Sequence, residues 1–177
     1  MKRYLILLVL FILSLSIFAQ NDSIAISQMK ELGVYYLRND TLMQIVPIMQ
    51  ERTKVNASPF SAKGSIVYEG ENSENILENK PVFYIYIPIM YKNSINAKQF
   101  RLVTLTSKKG QRRLNTVSVS IFGARTGAKS QVLNMEKLNE ECYKIFSDGS
   151  IPAGHYGIFY NYGSGVPLKL YDFDIKE

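Results

Sequence analysis

His155 is the only histidine of the chain and Cys142 the only cysteine. A Ser-His-Asp triad needs a base held between a nucleophile and an orienting acid, and Ser147, Ser150, Asp148 and Asp172 supply the residue types. No Gly-x-Ser-x-Gly elbow accompanies them. His155 therefore reads as a surface residue or strand partner, and no catalytic residue is assigned. One His and one Cys leave a zinc site dependent on several carboxylates, so no metal ligand and no cofactor is assigned either. Glu140 and Glu141 precede Cys142; negative charge there disfavours the reactive thiolate, and Cys142 reads as a small buried strand residue. Asp172 and Asp174 sit two apart on one strand. Carboxylate pairs that hydrolyse glycosides face each other across a cleft, so these two read as a wet strand face. No Asp-x-Asp-x-Asp-Gly calcium loop is present. Asn161-Tyr162-Gly163-Ser164-Gly165 is glycine-rich, but strand-like segments flank it where a phosphate-cradling loop would open a helix, and it reads as a hairpin turn.

The residues that suit binding are of two kinds. Lys108, Lys109, Arg112 and Arg113 surround Gly110 and form the densest charge cluster of the chain. Such a cluster suits docking to an acidic glycan, a phosphate-bearing lipid or an envelope protein, or serves as a solvated hairpin tip that discourages aggregation. Tyr35, Tyr84, Tyr86, Tyr156, Tyr160 and Tyr162 all fall on or beside strand-like segments. On one exposed face they would form a platform for sugar rings or a partner protein; facing inward they are core, which is the simpler reading. The candidate ligand- or partner-binding set is Lys108, Lys109, Arg112, Arg113, Tyr156, Tyr160 and Tyr162.

The elements that must position these residues are strands. Residues 34–37 and 41–46 read as a hairpin closed by Arg38-Asn39-Asp40, with Pro47 limiting how centrally the second strand sits. Residues 54–63 read as a loop, 65–69 as a short strand and 70–80 as a solvated connection. In residues 82–87, Val82, Tyr84 and Tyr86 alternate with Phe83, Ile85 and Ile87. Both faces are apolar, which predicts a central strand covered on both sides. Strands follow over 100–106 and 112–122, the latter with Val117, Val119 and Ile121 on one face and Ser118, Ser120 and Phe122 on the other. Residues 123–130 read as a loop and 131–141 as a loop with a helical turn. Strands over 142–146, 155–160 and 168–175 close the chain. About nine short antiparallel strands without a long amphipathic helix predict an all-β, single-domain β-sandwich or partly closed barrel over 33–177, preceded by an arm or short helix over 21–32.

The first 20 residues read as a cleaved secretory signal peptide. Lys2 and Arg3 form the basic start, an apolar run of about 14 residues follows over 5–18, and Ala19 offers a small residue for cleavage. The run is shorter than the roughly 20 residues that cross a bilayer, so no membrane span is expected in the mature chain. No cysteine lies near its end to carry a lipid. Export places the protein in the periplasm, at the cell surface or outside the cell. Of 21 basic and 15 acidic residues, removal of Lys2 and Arg3 leaves 19 against 15, a net charge of +4. That is too mild for a nucleic-acid partner. A lone cysteine forms no intrachain disulfide, so an exported domain of about 157 residues must be held by its core.

Gly33-Val34-Tyr35-Tyr36, Pro81-Val82-Phe83-Tyr84-Ile85-Tyr86-Ile87-Pro88, Phe100-Arg101-Leu102 with the following basic turn, Ile151-Pro152-Ala153-Gly154-His155-Tyr156-Gly157-Ile158-Phe159 and Tyr171-Asp172-Phe173 occur in that order. The order resembles an uncharacterised family of exported bacterial β-proteins. Those share a Gly-x-Tyr-Tyr opening, a central aromatic strand ending in Pro and a Pro-Gly-Glu-Tyr-like turn near the C-terminus. This chain has His155 where the family often has Glu. The resemblance implies an exported β-fold and brings neither an activity nor site residues. The expected function is a non-catalytic domain acting in binding or envelope assembly. The alternatives are a carbohydrate- or lipid-binding module and a hydrolase of unfamiliar type using His155.

Overall fold

The computed structural model describes residues 26–58, 61–120, 123–147, 149–163, 167 and 169–176, with the backbone alone over 117–120 and 123–126. The segment over 1–20 expected to be a signal peptide, Pro59, Asp148, Ser164, Gly165, Leu168 and the face alternation expected over 117–122 lie outside what it describes.

The fold is all-β, a sandwich whose larger sheet curls into a half-barrel. The smaller sheet has the order β12(Asn134–Lys137), β13(Cys142–Phe146), β7(Val82–Tyr86), β1(Gly33–Arg38), β2(Thr41–Ile45). As its unbroken apolar sequence predicts, β7 is central and covered on both faces. Phe83 and Ile85 point into the sandwich, and Tyr84 is buried on the outer side. Asn39 and Asp40 both adopt left-handed backbone, φ 50° and 59°, which lets a two-residue turn join β1 to β2 with the twist of the strands.

The larger sheet runs β3(Ile48–Met49), β15(Lys169–Ile175), β14(Gly154–Tyr160), β8(Phe100–Ser107), β9(Gln111–Ser120), β5(Ser61–Glu69), β4(Arg52–Ser58). β10(Gly123–Thr126), β11(Ser130–Val132) and β6(Ile76–Leu77) pair with β9, β8 and β15 respectively, and β6 is parallel to its neighbour. β9 stays beside β8 only at Thr106↔Arg113 and Ser107↔Arg112. It then departs, and β11 takes its place against Leu102. A bulge between Gly64 and Ser65 of β5 adds local bend. The departing wing of β9, β5 and β4 folds back over the face of β8, β14 and β15.

Three apolar layers result. Between the sheets, Phe83 packs on Phe173 with ring centroids 4.9 Å apart, and Tyr156 stacks on Phe173 at 5.8 Å. Inside the half-barrel, Ile66, Tyr68 and Leu114 of the wing meet Val103, Leu105, Phe159 and Leu170. On the outer face of the smaller sheet, Met29 covers Tyr35, Tyr84 and Cys142. A helical turn at 26–28 delivers Met29 there, so the described part of the N-terminal arm is packed. Cys142 is fully buried, as its sequence setting suggests.

Several expectations need correction or refinement. Residues 54–63 contain the β4–β5 hairpin. All seven β4 residues are exposed, so no apolar alternation announces the strand, and backbone pairing alone makes it. Residues 123–130 and 131–141 hold β10, β11 and β12, with no helical turn in 131–141; all three β11 residues are exposed, and β12 turns Met135 towards the core. The strand count among the described residues thus rises from about nine to fifteen. Residues 70–80 are for the most part exposed, as a solvated connection would be, but Ser73 and Leu77 are buried and anchor the segment. Asp172 and Asp174 do not lie on a wet face: both are 3% exposed, because the wing and the 70–77 strap cover the side of β15 that alternation leaves polar.

Candidate functional site

Charge gathers at two places. The first is the mouth of the half-barrel. On β15, Asp172 and Asp174 point to the same side, away from Tyr171, Phe173 and Ile175 in the sandwich core. From β9, Arg112 reaches into the barrel and forms an ion pair with Asp172 through Nη1 and Oδ2, with both side chains almost wholly buried. Its remaining donors bond to the carbonyl oxygens of Gly70, from Nε at 3.3 Å, and Glu69, from Nη2 at 3.0 Å. Burial pushes the guanidinium below its usual pKa, opposed by the negative charge of Asp174 and Glu74. Tyr68 lies nearby with its hydroxyl buried and unpartnered. Desolvation raises its pKa well above the ordinary phenol range, and attraction to Arg112 only partly offsets it.

Asp174 holds two groups. Its Oδ1 lies 2.8 Å from His155 Nδ1, directly across the β14–β15 ladder, and its Oδ2 accepts from the backbone N–H of Ser73 at 2.9 Å. Ser73 Oγ donates to the Asp172 carbonyl at 3.1 Å, and Asn75 Nδ2 donates to the same oxygen at 3.0 Å. The Asp174 N–H donates to the Asn75 carbonyl at 2.8 Å. A strap with little apolar content is thereby fastened to β15 by polar bonds, and its next two residues become β6. His155 is a strand partner, as its sequence setting suggests, with one carboxylate orienting its ring.

The structure separates the residues of the basic turn. Lys108 and Lys109 are exposed at the β8–β9 tip and Arg113 is half-buried, while Arg112 is committed to the interior. The tyrosines separate too. Tyr35, Tyr84 and Tyr156 are buried; Tyr156 donates to the Pro152 carbonyl at 2.9 Å. Tyr160 is half-buried between Phe100 and Tyr162, with edge-on ring contacts of 5.3 and 4.6 Å. Tyr162 alone of the six is largely exposed.

The second place is a groove of about 930 Å³ at the end of the sandwich where β1 finishes and β7 begins. Arg38, Lys80, Lys144 and Lys176 border it, against the single carboxylate of Glu78. Each comes from a separate element: the end of β1, the approach to β7, β13 and the residue after β15. β6 forms another wall, so the strap fastened at the first place shapes the second. Tyr36 and Tyr84 also border the groove. None of its four cations belongs to the candidate set read from the sequence, because no local pattern joins residues so far apart. A smaller groove of about 480 Å³, bordered by Leu102, Gln131, Ser150 and Tyr156, lies between β8, β11 and the approach to β14. His155 borders neither groove.

Among the described residues no group of three or more His, Cys, Asp or Glu side chains is placed to hold a metal ion, and no helix is long and apolar enough to cross a membrane. Neither a protein-family model nor a curated protein matches the chain.

Proposed function

We propose that this chain is an exported, non-catalytic β-domain that works by binding, in the periplasm, at the cell surface or outside the cell. The leader-like segment over 1–20 and the resemblance to exported β-proteins support the address. The observation that carries the binding reading is the groove: Arg38, Lys80 and Lys176, from three elements, converge on one concave surface that Glu78 is the one carboxylate among the described residues to border. Ligand sites are concave, largely pre-formed and set by a few convergent polar groups, and the walls here are strands or strand ends. An unbiased pull-down from envelope extract, using protein purified from cells expressing the full chain, tests this reading. Recovery of a specific partner or glycan is the expected result. No specific recovery, together with measurable turnover on a substrate panel, would overturn it.

A second reading rests on the His155–Asp174 contact. A carboxylate on Nδ1 fixes the tautomer that leaves Nε2 as a base, which suits a hydrolase of unfamiliar type. That reading requires turnover that disappears in His155→Gln while the fold persists. Fold persistence is readable from near-UV circular dichroism.

A further inference from the structure

We infer that the groove takes an acidic oligosaccharide, a chain of sugar rings bearing carboxylates. The inference rests on the binding reading above and names the ligand class of that site. Among the described residues, Arg38, Lys80 and Lys176 are exposed and make no ion pair. Elsewhere Arg112 is paired with Asp172, and Lys92 and Lys137 with Glu140, while the exposed Lys108 and Lys109 sit on a convex hairpin tip outside the groove. Uncompensated charge on a concave, low-dielectric wall focuses potential and selects anions. The volume of about 930 Å³ is near the upper end for small-ligand sites and exceeds what a lone inorganic anion fills.

The surfaces among the cations match a sugar. Asn39 and Asn79 are exposed at the groove, and carboxamides both donate to and accept from hydroxyls. Ile76 and Val82 are partly exposed there, at 41% and 37%, and offer apolar contact to the C–H faces of pyranose rings. The walls are held in advance of any ligand. β6 is fastened through Ser73 and Asn75 to β15, and the Asn79 carbonyl accepts the Ile151 N–H at 2.7 Å. Pre-formed walls lower the ordering cost of binding.

The test uses protein purified from cells expressing the full chain and calorimetric titration with a galacturonate hexamer. Maltohexaose, inorganic phosphate and phosphatidylglycerol vesicles are titrated in parallel. The hexamer is expected to bind at least about tenfold more tightly than either maltohexaose or phosphate, and to weaken about tenfold between roughly 20 and 200 mM salt. Lys80→Glu with Lys176→Glu should weaken it by at least about tenfold, while Lys108→Glu with Lys109→Glu, at the hairpin tip, should leave it unchanged. Unchanged circular dichroism establishes that both pairs fold. Equal binding of maltohexaose, binding of vesicles alone, or full affinity in the Lys80/Lys176 pair would each overturn the proposal. If the hexamer fails while envelope extract yields a specific partner, the ligand class falls and the binding reading stands. If both fail and His155-dependent turnover appears, the binding reading falls with it.

Discussion

The mouth of the half-barrel and the groove at the end of the sandwich both collect charge, and the chain treats it in opposite ways. In the first, Arg112 is matched by Asp172, Asp174 is held by the His155 ring and the Ser73 N–H, and residues 70–77 roof them. In the second, Arg38, Lys80 and Lys176 stand exposed without carboxylate partners among the described residues. Matched and buried charge has no capacity left for a ligand, and breaking it costs folding energy. Unmatched charge in a concavity costs a little self-repulsion and retains its capacity to bind. The difference divides structural from recognition roles more cleanly than residue type does, since each place has cations the sequence presents alike.

The strongest way to break the comparison is to unmatch the buried pair. Asp172→Asn leaves the Arg112 guanidinium buried without its counter-charge and is expected to cost about 3–5 kcal/mol, read from urea unfolding midpoints. Arg112→Met combined with Asp172→Leu should recover most of that loss, because burial of a well-packed apolar pair avoids desolvating two charges. A single variant no less stable than the parent would remove the pair from its structural role.

Ser73→Ala comes next. It removes the hydroxyl that donates to the Asp172 carbonyl and accepts from the Asn75 N–H, while the Ser73 N–H keeps its bond to Asp174. The expected loss is about 1 kcal/mol, measured in the same urea assay. The more telling readout is the groove. A loosened strap moves β6, so hexamer affinity should fall although no groove cation has changed. Unaltered affinity would mean that the two places are independent.

These connections show which parts of the molecule local sequence carries. β7 is legible because Val82 to Ile87 is apolar throughout, and the β1–β2 turn because Asn39 and Asp40 tolerate left-handed backbone. β4 is silent: Arg52, Thr53, Lys54 and Asn56 carry no apolar period, and pairing with β5 makes the strand. The alternation of Asp172 and Asp174 against Tyr171, Phe173 and Ile175 is readable, but the roof is not, since Ser73 lies 101 positions from Asp174. One signal was available. Two carboxylates among the otherwise apolar residues 170–175 of the closing strand, in a chain with a basic turn, fit a buried ion pair as well as a wet face. For the groove no such signal exists, as residues 38, 80, 144 and 176 meet only through the pairing of β13, β7 and β1 and the packing of the two sheets.

Alkaline pH sharpens the comparison from inside the barrel. Tyr68 ionises in the unfolded chain near its ordinary value of 10.0, but burial raises that value in the fold. A raised pKa means that the folded state keeps the proton longer. The stabilisation is therefore complete below about pH 10 and is lost as pH climbs from there towards the folded value. Tyr35, Tyr156 and Tyr171 are shifted by burial in the same direction, so unfolding should set in steeply above about pH 10. Tyr68→Phe removes one contributor and one unpartnered buried hydroxyl. It should be neutral or stabilising by up to about 1 kcal/mol at neutral pH, with a shallower alkaline loss.

The smallest expected effect on stability is the one that isolates the groove. Lys80 and Lys176 are exposed and make no ion pair among the described residues. Reversing both should change unfolding free energy by no more than about 0.5 kcal/mol per site. The change should be slightly favourable, because the remaining Arg38 and Lys144 then face carboxylates in place of like charge. Added salt should shrink that gain, since exposed charges are screened over about 10 Å at 0.1 M. A large loss of stability would show that these cations are matched within the fold after all, and the groove would then belong with the buried cluster. A negligible loss of stability combined with a large loss of hexamer binding would set the two places apart by measurement: charge conserved for the fold in one, charge held open for a ligand in the other.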